Sequence, residues 1–224
     1  MVAEALTGRP VVSLVTSRRR LAPHGDATDL LKRQIESAVR ARVDLIQIRE
    51  PDLSDRASVS LVRWAVDVAR GTRSLILVNE RFDVALSAGA AGVHLRSSSV
   101  PAPVMRDHLP PGFLVGRSVH AAGEAARVAA AGGVDYLTLG TVYPSASKPG
   151  RPPCGVDVLA AAARAVRLPI LAIGGVTVDN AIEVLAAGAA GTAAIGLFAE
   201  PRPAGTFDSI SAIAAEIRRC SERH

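Results

Sequence analysis

The chain has 224 residues, a formal net charge of +5 and 49% apolar residues, with few aromatic ones. This length predicts a single domain, residues 1–224, with a substantial buried core. The basic residues are scattered, apart from the run Arg18, Arg19 and Arg20, and no aromatic side chains lie between them to stack on bases. The charge therefore favours a small anionic ligand over a nucleic acid. We interpret the arginine run as a solvated loop, with steering of anions as the alternative.

Cysteine usage and the distribution of apolar residues predict a cytoplasmic location. Cys154 and Cys220 form neither a disulfide framework nor a metal-ligand cluster. The first ten residues include an acid and no long apolar core, so they do not resemble a secretory signal. No run reaches the roughly 18 consecutive apolar residues of a membrane-spanning helix. We expect no membrane partner, and an exposed helix face could support a homodimer.

Short apolar runs recur along the chain, each followed by a longer stretch that fits a helix. The predicted strands cover residues 11–17, 43–49, 74–80, 92–96, 113–119, 136–140, 169–175 and 191–196. Helices are predicted at residues 27–42, 55–70, 121–132 and 179–188. This alternation predicts an α/β fold, a single (βα)8 TIM barrel of the phosphate-binding type. A doubly wound open sheet is the alternative, because periodicity alone does not show that a sheet closes.

Polar residues collect where the predicted strands end, and in a (βα)8 barrel that end carries the catalytic face. The two-residue alternation of a strand places Gln47 and Arg49 on one face, and likewise Ser118 and His120. The guanidinium of Arg49 suits a phosphate or carboxylate, although an ion pair with a neighbouring acid is an equal alternative. His120 is a candidate acid and base catalyst, because free histidine side chains can take up and release a proton near neutral pH. His94, inside a strand, is expected to be a core residue with its hydrogen bonds satisfied.

Asn79 and Glu80 end the third predicted strand. Glu80 could act as a general base or as a ligand for a hard metal ion, but an ion pair with Arg81 is the more common role. A second carboxylate is not evident nearby, because the fourth strand runs into the serine-rich stretch 96–100. We therefore predict no metal and no other cofactor.

Three loops after late strands have the composition of a phosphate site. Glycines close the last two strands, and backbone N–H groups at Gly174, Gly175, Ile195 and Gly196 are candidates for binding a phosphate. Tight turns are the alternative explanation of these glycines. Lys148, one of two lysines in the chain, lies in a loop with glycine and proline that could fold over an anion.

Taken together, these stretches resemble the thiamine phosphate synthase and TenI superfamily. The matching segments are DLIQIRE (44–50), LVNERFDVALSAGAAGVHL (77–95), VGRSVHAAGEA (115–125), DYLTLGTVYPSASK (135–148), PILAIGGVTVDN (169–180) and AAGTAAIG (189–196). The resemblance implies one of two activities on a thiazole phosphate. A synthase joins it to a pyrimidine diphosphate with Mg²⁺, whereas a TenI-type tautomerase moves a proton to aromatise a thiazole carboxylate phosphate.

Departures from the synthase pattern favour the tautomerase as the first hypothesis. Pro51 stands where the pattern has a lysine, Glu80 replaces a metal-binding aspartate, and serines occupy the position of a second aspartate. The segment 116–120 reproduces the tautomerase pattern, whose histidine is the general acid and base, so the resemblance implies that role for His120. Gln47 and the loop with Lys148 look more like a synthase, so Mg²⁺-dependent synthesis stays the alternative, with Glu80 as metal ligand. A non-catalytic phosphate-binding barrel and a different enzyme, such as a sugar-phosphate epimerase, also stay open.

Overall fold

Eight parallel strands form a closed barrel in the computed structural model, which describes residues 6–22, 24–145, 150, 152–199 and 207–220. In chain order they are β1 Val11–Val15, β2 Leu45–Ile48, β3 Leu75–Asn79, β4 Gly92–Leu95, β5 Leu114–Val119, β6 Tyr136–Gly140, β7 Ile170–Ile173 and β8 Gly191–Ala194. The strand β1 pairs with β2 on one side and with β8 on the other, and Val11 aligns with Gly191. The predicted (βα)8 barrel is confirmed, and the open sheet is wrong.

Helices surround the barrel and connect consecutive strands. They are α1 Arg18–Leu21, α2 Thr28–Arg40, α3 Asp55–Ala69, α4 Phe82–Ala88, α5 Ala102–Arg106, α6 Ala122–Ala131, α7 Val156–Ala165, α8 Val178–Ala186 and α9 Ser209–Arg219. A short 3-10 turn, Gly196–Phe198, follows β8. Each of the four helices predicted above is present and starts or ends within two residues of its predicted bounds.

The strand alternation divides the apolar residues between two layers. Side chains such as Val12, Ile46 and Leu137 face outward and pack in the core against the helices. Alternate residues, including Leu45, Leu77 and their equivalents on other strands, fill the amino-terminal part of the barrel. Both layers are predominantly apolar, and polar side chains such as Gln47 face the barrel interior further along the strands.

The structure of the arginine run, residues 18–20, differs from the prediction. Residues 18–21 form the short helix α1 instead of a solvated loop. The side chain of Arg18 is only 15% exposed and lies 2.9 Å from Asp52 and 3.5 Å from Glu50. Ion pairs with the loop after β2 therefore hold this helix against the barrel rim.

Candidate active site

The barrel interior changes from apolar to polar along the strands. Leu45 and Leu77 belong to the apolar layer at the amino-terminal end. Two residues further along the same strands, the Gln47 Nε2 atom donates a hydrogen bond of 3.0 Å to Asn79 Oδ1. The structure thus brings together two of the predicted substrate-binding residues. The Gln47 Oε1 and Asn79 Nδ2 atoms make no hydrogen bond with the described part of the chain, so both can serve a ligand.

A glycine in the segment 116–120 makes room for a hydrogen-bond network inside the barrel. Gly116 aligns with His94 on one side and with Tyr136 on the other. A Cβ atom at Gly116 would lie 2.1 Å from the Tyr136 ring, so only glycine allows that ring to cross the barrel. The Tyr136 hydroxyl therefore reaches His94 Nδ1 at 3.0 Å.

Ser118 completes this network at the barrel mouth. Its Oγ atom lies 2.9 Å from Nε2 of His94, so both ring nitrogens of His94 have partners. His94 is 4% exposed, and burial lowers its pKa to about 4 because the imidazolium form loses its hydration. His94 is consequently neutral near pH 7, which confirms the expected satisfied core histidine. Its neutral ring positions the Ser118 hydroxyl under the mouth.

Arg117 faces outward from β5 and organises the loop after β4. The side chain is 7% exposed, and its two terminal nitrogens donate to the carbonyl oxygens of Ser97, Ser99 and Val100 at 2.7 to 2.9 Å. A planar guanidinium with several donors suits such a set of acceptors, whereas a lysine would not. Arg117 thereby fixes the serine-rich loop at the edge of the mouth.

His120 lies just beyond the end of β5 and is exposed. Its Nδ1 atom is 2.5 Å from the carbonyl oxygen of Gly140, and because a carbonyl only accepts, Nδ1 must carry the proton. In the neutral ring Nε2 then has the free lone pair. The Glu124 carboxylate accepts a 2.7 Å hydrogen bond from the His120 backbone N–H, which fixes the backbone at this position. This geometry leaves Nε2 available for accepting a proton.

Arg49 is partly exposed at the end of β2, and its backbone is anchored. The Arg49 N–H donates to Thr16 Oγ1 at 2.9 Å. Its guanidinium makes no ion pair with any acid in the described ranges, although the sequence left that alternative open. The neighbouring Glu50 is occupied instead, since both its oxygens accept from the Arg18 N–H at 3.0 to 3.1 Å. Arg49 can therefore bind an anionic ligand without first breaking an ion pair.

Glu80 does not pair with Arg81, contrary to the more common role expected from the sequence. Arg81 instead contacts Asp55 and Asp83 at 2.7 and 2.6 Å. The Glu80 Oε1 atom accepts hydrogen bonds from the backbone N–H of Arg96 at 2.7 Å and from the Ser99 hydroxyl at 2.5 Å. Glu80 also has a φ of 66°, an uncommon conformation for a residue with a side chain. The backbone and the loop after β4 together aim this carboxylate.

The possible ligand atoms around Glu80 are compatible with a magnesium ion in only one arrangement. The Glu80 Oε2 atom accepts no hydrogen bond from the described residues and lies 3.8 Å from Arg96 Nε. Magnesium often binds through one or two carboxylates together with substrate phosphates. Among the residues that the structure describes, no group of three His, Cys, Asp or Glu could hold a metal. Glu80 could therefore supply only one ligand of such an ion, and the others would have to come from outside the described residues.

The glycines after β7 have a structural reason that the sequence did not reveal. Gly174 and Gly175 have φ values of 93° and 65°. A Cβ atom on Gly174 would lie 2.4 Å from Thr141, and one on Gly175 would lie 2.4 Å from the carbonyl oxygen of Pro144. The loop after β6 thus packs directly on this turn. This contact favours the tight-turn explanation, and phosphate binding by these two residues stays a prediction.

The backbone at the end of β8 is less tightly packed than the turn after β7. Ile195 and Gly196 are partly exposed and start the 3-10 turn, where the first N–H groups have no acceptor within the turn. Their role in phosphate binding also stays a prediction. Lys148, the remaining predicted substrate-binding residue, lies outside the described residues.

Comparison with known proteins identifies the family. The family model "Thiamine monophosphate synthase" matches residues 14–198. The chain belongs to this family. It is 36% identical over 212 residues to a thiamine-phosphate synthase of Roseiflexus castenholzii, covering 94% of this chain and 90% of that one. It is 42% identical over 171 residues to a "Putative thiamine-phosphate synthase" of Geobacter sulfurreducens, covering 75% and 80%.

Solved structures agree with this assignment. The fold matches a thiamine phosphate pyrophosphorylase from Pyrococcus furiosus with a TM-score of 0.79 and 27% sequence identity, covering 100% of this chain and 98% of that one. The resemblance to the family and a place in thiamine biosynthesis are therefore confirmed. The relatives' names favour the synthase, which was the second hypothesis from sequence, over the tautomerase. In the described ranges, no helix is long and apolar enough to cross a membrane.

The sequence did not identify the residues that hold the side chains of the site in position. Tyr136, Arg117 and Ser99 lie in or next to predicted strands, but no pattern in these segments indicates a contact across strands. A tyrosine at the start of β6 followed by Thr138 on the same face was the one available signal, since it places a hydroxyl inside the barrel.

Proposed function

We propose that this chain is a thiamine-phosphate synthase, which joins a pyrimidine diphosphate to a thiazole phosphate. The observation that carries the proposal is the 36% identity to a synthase over 94% of the chain. The geometry supports it, because the amides of Gln47 and Asn79, the Arg49 guanidinium and the Glu80 carboxylate lie at the ends of β2 and β3 on one side of the mouth.

In this reaction the bond between the pyrimidine methylene carbon and the diphosphate oxygen breaks, and the diphosphate leaves with the electron pair. The thiazole nitrogen then forms a bond to that carbon. The Gln47 and Asn79 amides bind and orient the pyrimidine through their free Oε1 and Nδ2 atoms. Arg49 binds the leaving diphosphate, an electrostatic effect that is typically worth about 3 kcal/mol in the transition state.

A magnesium ion, when bound by Glu80 together with the diphosphate, would further neutralise the leaving group. The contacts from Ser99 and Arg96 hold the Glu80 carboxylate in place for this. The sequence predicted no cofactor unless the chain is a synthase, so this proposal includes Mg²⁺.

The second candidate is thiazole tautomerase, and the tautomer of His120 is the observation that favours it. With Nδ1 bound to the Gly140 carbonyl, Nε2 could take a proton from a ring carbon and return it to the exocyclic position. Arg49 would then hold the substrate carboxylate. Neither step needs a second carboxylate at the mouth.

One pair of variants separates the two candidates. Glu80→Ala should abolish Mg²⁺-dependent release of pyrophosphate by a synthase, while His120→Gln should lower that rate by less than tenfold. For a tautomerase, His120→Gln should lower the rate of aromatisation, followed by NMR on the thiazole carboxylate phosphate, by about a hundredfold or more. A loss of pyrophosphate release in His120→Gln but not in Glu80→Ala would contradict the proposed metal role.

A further inference from the structure

The three consecutive arginines of α1 differ in what they contact. Arg18 is largely buried, with contacts to Glu50, Asp52 and Asp26 at 3.5, 2.9 and 3.6 Å. The side chain of Arg19 is 79% exposed and lies 3.9 Å from Asp52. Two of the three charges are thus directed at carboxylates of the rim.

Arg20 has no such partner among the described residues. Its side chain is partly buried and turns toward the end of β8 instead. A Cβ atom built on Gly196 would lie 3.0 Å from Arg20 Nη1, so the guanidinium rests directly against that glycine. A guanidinium that lies partly buried beside a ligand site and has no carboxylate partner is well suited to bind an anion.

The surface beneath Arg20 is rigid. Phe198, at the end of the 3-10 turn, is 3% exposed, and its carbonyl oxygen accepts a 2.6 Å hydrogen bond from Gln34 of α2. The backbone N–H of Arg18, which donates to both oxygens of the Glu50 carboxylate, fixes the other side of α1. Arg20 is therefore placed between two anchored elements, and the freedom lost when it binds an anion is small.

We propose that Arg20 binds the phosphate monoester of the thiazole substrate from the side of α1, opposite the backbone of Gly196. The proposal rests on the proposed function, because that function supplies the phosphate. A Cβ atom at residue 196 would lie 3.0 Å from Arg20 Nη1, so a side chain there would make the guanidinium shift by a few tenths of an ångström. Arg20 is thus a residue that selects phosphorylated over unphosphorylated thiazole.

The test compares the binding of thiazole phosphate and of the thiazole alcohol that lacks the phosphate. We expect Arg20→Met to weaken binding of the phosphate at least tenfold by calorimetry, to raise KM similarly, and to leave kcat within about twofold. Affinity for the alcohol should not change. Arg20→Lys should fall between the two, because it keeps the charge and loses the planar fork. Arg19→Met removes the same charge from the same helix and should change phosphate affinity by less than twofold.

Gly196→Ala adds an independent arm. Its methyl group should shift the guanidinium slightly and weaken phosphate binding in the wild-type background, but have little further effect in Arg20→Met, so that the two changes are not additive. Equal phosphate affinity of Arg20→Met and wild type, with unchanged thermal unfolding, would overturn the role of Arg20 while the proposed function stands. If wild-type protein binds neither ligand, the proposed function fails as well.

Discussion

The buried His94 should contribute to destabilisation of the chain on acidification. Its pKa is about 4 in the folded protein and 6.5 in an unfolded chain, because burial disfavours the imidazolium. A base with a lowered folded pKa takes up its proton on unfolding, so stability is complete above pH 6.5 and falls as the pH drops toward 4. At pH 5 the difference amounts to about 2 kcal/mol, from 1.36 kcal/mol for each pH step.

Urea unfolding at pH 7 and pH 5 measures this effect. In His94→Gln, which does not titrate, the loss of unfolding free energy between the two pH values should be smaller than in the wild type by about 2 kcal/mol. His108→Gln is the matched control, because His108 is exposed and should leave the wild-type pH dependence unchanged. The reasoning is refuted if His94→Gln and wild type lose the same free energy.

Three further substitutions test the supports of the site. Gly116→Ala should lower the free energy of unfolding by about 3 kcal/mol or more, because its methyl group meets the Tyr136 ring. Gly123→Ala is the control and should be neutral or stabilising, because the nearest atom to its Cβ lies at 3.9 Å. Equal effects of the two substitutions in urea unfolding would contradict the packing argument. Arg117→Met should leave three loop carbonyls without donors, cost about 3 kcal/mol, and accelerate amide exchange in the loop after β4; unchanged exchange there would show that the loop holds itself. Glu80→Gln should raise the Mg²⁺ concentration needed for half-maximal pyrophosphate release at least tenfold, and an unchanged requirement would remove Glu80 from the metal site.

The fold could be predicted because strand alternation and the spacing of the repeats depend on local sequence. The polar faces of β2, β3 and β5 follow from the same alternation, although the hydrogen bond between Gln47 and Asn79 was not predicted. Closure of the sheet needed the pairing of β1 with β8, and these strands lie far apart in the chain. Local patterns contain no information on that contact.

The contacts of individual side chains at the mouth were less predictable. Glu80 accepts a hydrogen bond from the loop after β4 and does not pair with its neighbour Arg81. Its φ of 66° lies outside the helical range and gives the side chain a different direction from the one that a helical residue would have. The run Arg18–Arg20 reads as one charged patch in the sequence, but Arg18 and Arg19 face Asp52, whereas Arg20 lies against Gly196. Such differences depend on the positions of distant carboxylates and turns, which only the folded barrel brings together.

Formation of thiamine phosphate tests the proposed function most directly. Purified chain should be mixed with pyrimidine diphosphate, thiazole phosphate and Mg²⁺, and the products quantified by mass spectrometry. The account predicts thiamine phosphate and pyrophosphate in equal amounts, both lost in Glu80→Ala. Binding of thiazole phosphate without either product, or aromatisation of the thiazole carboxylate phosphate in their place, would contradict it.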